Sequence, residues 1–175
     1  MPPALETARA DSYFIVSYRQ NKTMHLYSSE FLTGTSIPYR YTCDGENLSP
    51  PLNWADPPAE ARSFALIVRD RDTPNQFTHW VLYNLPADLR ELPAGLPQQE
   101  NLPNGGQQGK NDFDQIGFGG PCPPQGTHRY FFKLYALDQP LDVAAGANEE
   151  EVLQAMRDRT LAAAELMGLY GRAEF

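Results

Sequence analysis

Two polar clusters hold most of the residues in this chain that could do chemistry. The first runs Asp70-Arg71-Asp72-Thr73-Pro74 and leads to His79-Trp80. The second runs Gly119-Gly120-Pro121-Cys122-Pro123-Pro124-Gln125-Gly126-Thr127-His128-Arg129-Tyr130. Each sets a histidine directly before an apolar, strand-like run and precedes it with turn-forming residues. Histidine moves most easily between neutral and charged forms near pH 7. A glycine- and proline-rich loop exposes backbone N–H groups that can form an anion-binding concavity. Brought together by folding, the two segments would make a small anion pocket.

Strands must position these clusters. Ser63 to Arg69 alternates Phe64, Leu66 and Val68 with Ala65 and Ile67, so both faces are apolar and the strand is expected to be central and covered on both sides. His79 to Leu85 reads as a second strand closed by Pro86. Arg129 to Leu137 reads as a third, with Tyr130, Phe132 and Leu134 on one face and Phe131 and Tyr135 on the other. Residues 86 to 127 carry almost no periodicity, and a stretch that long is usually functional or covers a site. Within it, Leu92 to Leu102 reads as irregular surface chain. Near the C-terminus Asn148 is a candidate N-cap, with Glu149, Glu150 and Glu151 in the first turn. Val152, Leu153, Met156, Thr160, Leu161, Ala164 and Leu166 follow at helical spacing, with Gly168 as the stop. That pattern predicts one helix over residues 149 to 166, packed on a mainly β domain.

At 175 residues the chain is most simply one domain. Its 16 prolines and 13 glycines are scattered between apolar runs, as in a turn-rich β protein. The net charge of -8 argues against nucleic acid, whose binding is driven by basic surface, but leaves room for a local anion site. No apolar run approaches the length of a transmembrane helix, and Tyr13-Phe14-Ile15-Val16 is too short for a signal-peptide core. The expected location is therefore cytoplasmic. Residues 1–23 read as an N-terminal extension and 24–175 as the domain, which makes Met24 a candidate alternative start. Cys43 and Cys122 are too few for a disulfide framework and read as free thiols in a reducing compartment. A single bridge between them stays open, since both loops could line one pocket.

Four ordered segments carry a resemblance. They are Tyr41-Thr42-Cys43-Asp44-Gly45, Asp70-x-Asp72-x-Pro74, His79-Trp80-Val81-Leu82-Tyr83-Asn84-Leu85-Pro86 and Gly126-Thr127-His128-Arg129-Tyr130. With them the chain resembles the phosphatidylethanolamine-binding protein family, in its prokaryotic, Raf kinase inhibitor-like branch, over roughly residues 26 to 172. The resemblance implies a Greek-key sandwich of two antiparallel sheets, a C-terminal helical element beside the ligand site, and a pocket for phosphate-like or carboxylate anions at one end. It implies that Asp70 and Asp72 supply the acidic edge and that His79 lines the pocket. Gly119 and Gly120 would offer backbone donors, while His128 and Tyr130 complete the wall. It also implies a homodimer; a protein partner, a kinase or another enzyme regulated through the pocket, is a reading the sequence leaves open. Arg71 stands where the family often has proline, and the loop from Pro74 to His79 is short, so kinase-regulating surfaces do not carry over.

Singly, His79 and His128 read as structural histidines, Asp70 as a strand-end turn residue and Tyr130 as a packed ring. Their joint order points to a shared pocket. A carboxylate such as Asp70 would favour and orient an imidazolium there, and Asn111, Asp112 and Phe113 are read as part of the rim. The rival reading is a metal-dependent or Cys-assisted hydrolase using the same aspartates and histidines. No histidine pair has the i, i+4 spacing of a helical metal site, and Ser49 and Cys122 have no adjacent base. A binding protein without metal or cofactor is expected. A third reading, a vestigial pocket on an interaction protein, is not separable from it by sequence.

Overall fold

The alternating runs become neighbouring strands. The computed structural model describes residues 23–172, so the N-terminal extension, apart from Thr23, lies outside the described residues. In chain order the strands are β1 (His25–Tyr27), β2 (Thr35–Ser36), β3 (Leu52–Ala55), β4 (Ser63–Asp70), β5 (Thr78–Pro86), β6 (Glu91–Leu92), β7 (Gln107–Gln108) and β8 (Thr127–Leu137). One short helix, α1 (Glu149–Met156), then precedes β9 (Thr160–Gly171). A three-stranded sheet, β1-β3-β6, faces a six-stranded sheet, β2-β9-β8-β4-β5-β7. β8 returns after a long excursion to pair with β4 instead of with β5, the crossing expected of a Greek key. Pairing is antiparallel except between β2 and β9 among the described strands.

Two cores explain why β4 reads as apolar on both faces, and β5 shares them. Between the sheets, Leu26, Trp54 and Leu92 pack with Phe64, Leu66, Val68, Trp80, Leu82, Phe132 and Leu134. On the outer side, Ala65, Val81 and Tyr83 meet Leu137, Leu141, Val152 and Met156, so α1 lies over the far face of the large sheet. Phe64, Leu66, Val68, Val81, Leu82, Phe132 and Leu134 are all at most 1% exposed.

The helix prediction is half right. Asn148 forms a full capping box with Glu151, but α1 ends at Met156. Asp158 then takes a left-handed φ of 61°, and the chain turns into β9, which pairs with β8 from Thr160 to Gly171. Ala164, Leu166 and Gly168 are buried at every second position, a strand period that the same residues also fit at helical spacing. The polar turn Arg157-Asp158-Arg159 decides between the two. Gly168 is therefore a strand glycine whose missing side chain leaves room for Ile37 and Phe31. Leu92 and Leu102, read as surface chain, are both buried, Leu92 because β6 joins the small sheet.

Candidate functional site

Polar residues replace apolar ones where the inner face of the large sheet runs out. Along β4 the inward positions read Leu66, Val68, Asp70; along β8, back from Leu134, they read Phe132, Tyr130, His128. Asp70 pairs directly with Tyr130 in register. His79 should face the other way, because Val81 and Tyr83 of its strand pack on the outer side. A bulge corrects it: Val68 pairs with Trp80 and Arg69 with Thr78, leaving His79 as the extra residue. Thr78 consequently bonds outward to Glu149 of α1, and the imidazole of His79 joins the inner face.

The resulting cavity has a volume of about 220 Å³ and is lined by Asp70, Thr73, Phe77, His79, Phe113, Cys122, Pro123 and Pro124. Rings surround the imidazole, with centroids at 5.1 Å (Phe77), 5.3 Å (Phe113) and 5.2 Å (Tyr130). His79 Nδ1 lies 2.7 Å from the Gly119 carbonyl, which can only accept, so Nδ1 carries the proton. His128 Nδ1 donates to Asp70 Oδ2 at 2.5 Å, and the Asp72 N–H donates to Asp70 Oδ1 at 2.9 Å. Among the described residues the buried Tyr130 hydroxyl makes no hydrogen bond of good geometry, although Asp70 and the Cys122 backbone lie near it. Larger hollows of about 330 and 440 Å³ lie along α1, but they gather none of the aspartate, histidine and tyrosine residues of the two clusters.

Burial pushes the His79 pKa below its ordinary value, against the opposing pull of the Gly119 carbonyl and of Asp70. Burial also raises the pKa of Tyr130, and the neighbouring Asp70 adds to the rise. At neutral pH the imidazole in the cavity wall is thus neutral, and so is the phenol of Tyr130 packed against it; Tyr130 and His128, expected to complete the wall, stand behind the residues that line the cavity.

Several expected roles change. Asp70, expected to orient the imidazole of the pocket, hydrogen-bonds His128 and acts on His79 only through its charge. Asp72 is not in the cavity wall: it grips the Arg129 backbone and guanidinium, whose hydrogen bonds lower its pKa from 3.8 to about 2. The two glycine N–H groups are already engaged, Gly119 with the His79 carbonyl at 3.0 Å and Gly120 with Asn47 Oδ1 at 2.8 Å. What these glycines supply is close approach. A Cβ on Gly120 would meet Tyr41 O at 2.8 Å and the Thr42 Cα at 2.9 Å, and one on Gly119 would run into the Phe113 ring. Of the expected rim, Phe113 lines the cavity, while Asn111 holds the Gly117 carbonyl and Asp112 holds the Thr78 N–H. Phe77 escaped the sequence reading because a phenylalanine before a strand signals packing. The C-terminal helix lies behind the sheet instead of beside the cavity; Arg172, the residue after β9, reaches its wall at Cys122.

Cys43 and Cys122 are joined in a disulfide, which overturns the free-thiol reading. In this form Cys122 is no nucleophile, and no group of three or more His, Cys, Asp or Glu side chains suited to a metal occurs among the described residues. The hydrolase alternative finds no support in this arrangement.

A family model described as phosphatidylethanolamine-binding protein matches residues 27–171. The chain belongs to the phosphatidylethanolamine-binding protein family. A UPF0098 protein of Methanothermobacter thermautotrophicus is 51% identical over 150 residues, covering 85% of this chain and 99% of that one. Another from Aquifex aeolicus is 44% identical, with 85% and 89% covered. Among solved structures, a phosphatidylethanolamine-binding protein homologue from Chlamydia trachomatis matches with a TM-score of 0.80 at 39% identity, covering 86% of this chain and 99% of that one. E. coli YbcL, described as a new member of the mammalian family, matches at 0.80 and 33%, covering 87% and 100%. The family fold is thus the frame on which the bulge, the aromatic wall and the disulfide of this member are built.

Proposed function

We propose that this family member binds a small phosphate- or carboxylate-headed ligand at the end of the sandwich, with His79 and Tyr130 meeting the head group. The observation that supports this most is a buried imidazole with one nitrogen committed to Gly119, beside an unpartnered tyrosine hydroxyl in the same corner. The remaining nitrogen, Nε2, is the one left for a ligand. A cavity of about 220 Å³ lies below the usual range for drug-sized ligands, roughly 300–1,000 Å³, and suits a head group. Among the described residues no arginine or lysine lines it. Anion binding is therefore accompanied by protonation of His79, which turns Nε2 from acceptor to charged donor.

Titration calorimetry with sulfate tests this, because sulfate keeps its charge between pH 5.5 and 8. His79→Ala should weaken sulfate at least about tenfold, the factor equivalent to about 1.4 kcal/mol. Equal affinity in wild type and His79→Ala at every pH would defeat the proposal. Exhaustive chelation should leave binding unchanged. The homodimer belongs to the same proposal by family likeness, and a protein partner such as a regulated enzyme and a cytoplasmic location are carried into it from the sequence reading. Native mass spectrometry reads subunit number and any retained small molecule together.

A further inference from the structure

Ligand capture leaves one reactive group of the site unused, the Cys43–Cys122 bridge. It joins the loop after the 3-10 turn Tyr39–Tyr41 to the glycine- and proline-rich loop, across a sequence separation of 79. Cys122, Pro123 and Pro124 form one wall of the cavity, so the bridge ties that wall to the loop at residues 43–47. Weaker ties run beside it: the Cys43 N–H donates to the Pro121 carbonyl at 3.1 Å, and the Gly120 N–H donates to Asn47 Oδ1 at 2.8 Å. Both cysteines are half-buried, and Cys122 lines the cavity.

An arginine sits over the bridge. Arg172 Nη2 lies 3.1 Å from Cys43 Sγ and 3.2 Å from Cys122 Sγ. Asp44 holds the guanidinium through Nε at 3.0 Å and Nη2 at 2.9 Å, and the Tyr170 hydroxyl donates to the same carboxylate at 2.5 Å. A neutral disulfide gains little from a cation, whereas a thiolate gains much. In thiol–disulfide exchange one sulfur is attacked and the other leaves as a thiolate, at a rate that rises as the leaving thiol's pKa falls. A guanidinium nearly equidistant from both sulfurs serves whichever one leaves.

We propose that Cys43–Cys122 is a thiol-exchange latch: a small-molecule thiol opens it with Arg172 stabilising the departing thiolate, and opening loosens the Cys122–Pro124 wall and weakens the pocket. The second half rests on the ligand reading above. The first thiolate bonds to one cysteine sulfur, the S–S bond breaks, and its electron pair leaves on the other cysteine. A second thiolate attacks the mixed disulfide, releasing the oxidised thiol dimer and the second cysteine. Two electrons pass from the thiols to the protein, and the two protons the thiols lost end on the cysteines.

The test uses the full chain, oxidised, in glutathione buffers, with reduction followed by alkylation and mass. Wild type should be reduced without loss of its β-type circular dichroism, and Arg172→Gln should be reduced about tenfold more slowly. Sulfate affinity should fall at least about fivefold on reduction, return on reoxidation, and be low in the Cys43→Ser/Cys122→Ser double variant. Equal reduction rates in wild type and Arg172→Gln would remove the role of the arginine. Loss of the fold on reduction would make the bridge a structural staple and sink the latch, as would equal sulfate affinity in both redox states. Failure of the oxidised protein to bind sulfate at all would instead defeat the ligand reading, while the reduction rates still judge the exchange site.

Discussion

A histidine enclosed by Phe77, Phe113 and Tyr130 is charged only when something in the cavity compensates its lost hydration. Because burial lowers the His79 pKa in the empty protein, an anion that stabilises the imidazolium raises it again. Sulfate affinity should therefore strengthen as pH falls from 8 through the bound-state pKa, and level off once the empty site protonates too. The same shift has an opposite stability consequence. Unfolded chains take up a proton near the ordinary histidine value of about 6.5, while folded His79 resists, so the empty protein should lose stability as pH drops below that value. His79→Gln should flatten both profiles, measured by calorimetry and by urea unfolding. Tyr130 gives a separate check. Its hydroxyl is buried without a partner, so Tyr130→Phe should leave stability unchanged or higher by up to about 1 kcal/mol. If the hydroxyl serves the ligand, the same variant should weaken sulfate several-fold; unchanged affinity would make Tyr130 a packed ring only. Asp72 works outside the cavity. With its pKa held at about 2, its contribution is complete above its ordinary value of 3.8 and disappears as pH falls through about 2. Asp72→Asn should thus matter at pH 7 and cease to matter in strong acid, in the same unfolding series.

The elements differ in how closely they are packed. Leu66 on β4 is fully buried between the sheets, and Leu66→Ala should cost about 2–5 kcal/mol in urea unfolding. Gly168 on β9 separates the helix reading from the strand. As a helix stop it would take a left-handed φ, which it does not. In β9 an added Cβ would meet Ile37 Cδ1 at 2.8 Å and Phe31 Cε2 at 2.9 Å, so Gly168→Ala should destabilise by about 1–3 kcal/mol. At the start of α1, Asn148→Ala breaks a capping box and should cost about 1 kcal/mol.

At the scale of the molecule, the site exists because three strand ends converge and two loops close over them. The C-terminal end of β4 brings Asp70, the bulged start of β5 brings His79, and the start of β8 brings His128 and Tyr130. The Cys43–Cys122 bridge then holds one loop to the other across 79 positions. A bridge closing so long a loop stabilises by limiting the unfolded chain, so the double serine variant should be less stable by about 2–4 kcal/mol while remaining folded. Urea unfolding under non-reducing conditions measures it; a variant as stable as wild type would leave the bridge no structural weight.

The sequence by itself determined the apolar cores of β4, β5 and β8, because alternation with apolar residues on both faces has few other solutions. It also determined the order of motifs that places the chain in its family and, through that likeness, the expectation that Asp70, His79, His128 and Tyr130 share one corner. Three things were decided only by tertiary structure. Thr160 to Gly168 satisfies a helical and a strand period alike, and pairing with the whole length of β8 settles it. The direction of His79 depends on a bulge, and a bulge is a property of two strands in register, not of one. The glycine N–H groups that looked free for an anion are bonded to the His79 carbonyl and to Asn47, partners 40 and 73 residues away. A sequence shows which groups can donate and which can be apolar. Which of them are already partnered is set by the packing of residues far apart along the chain, since each buried donor takes the nearest acceptor that packing provides.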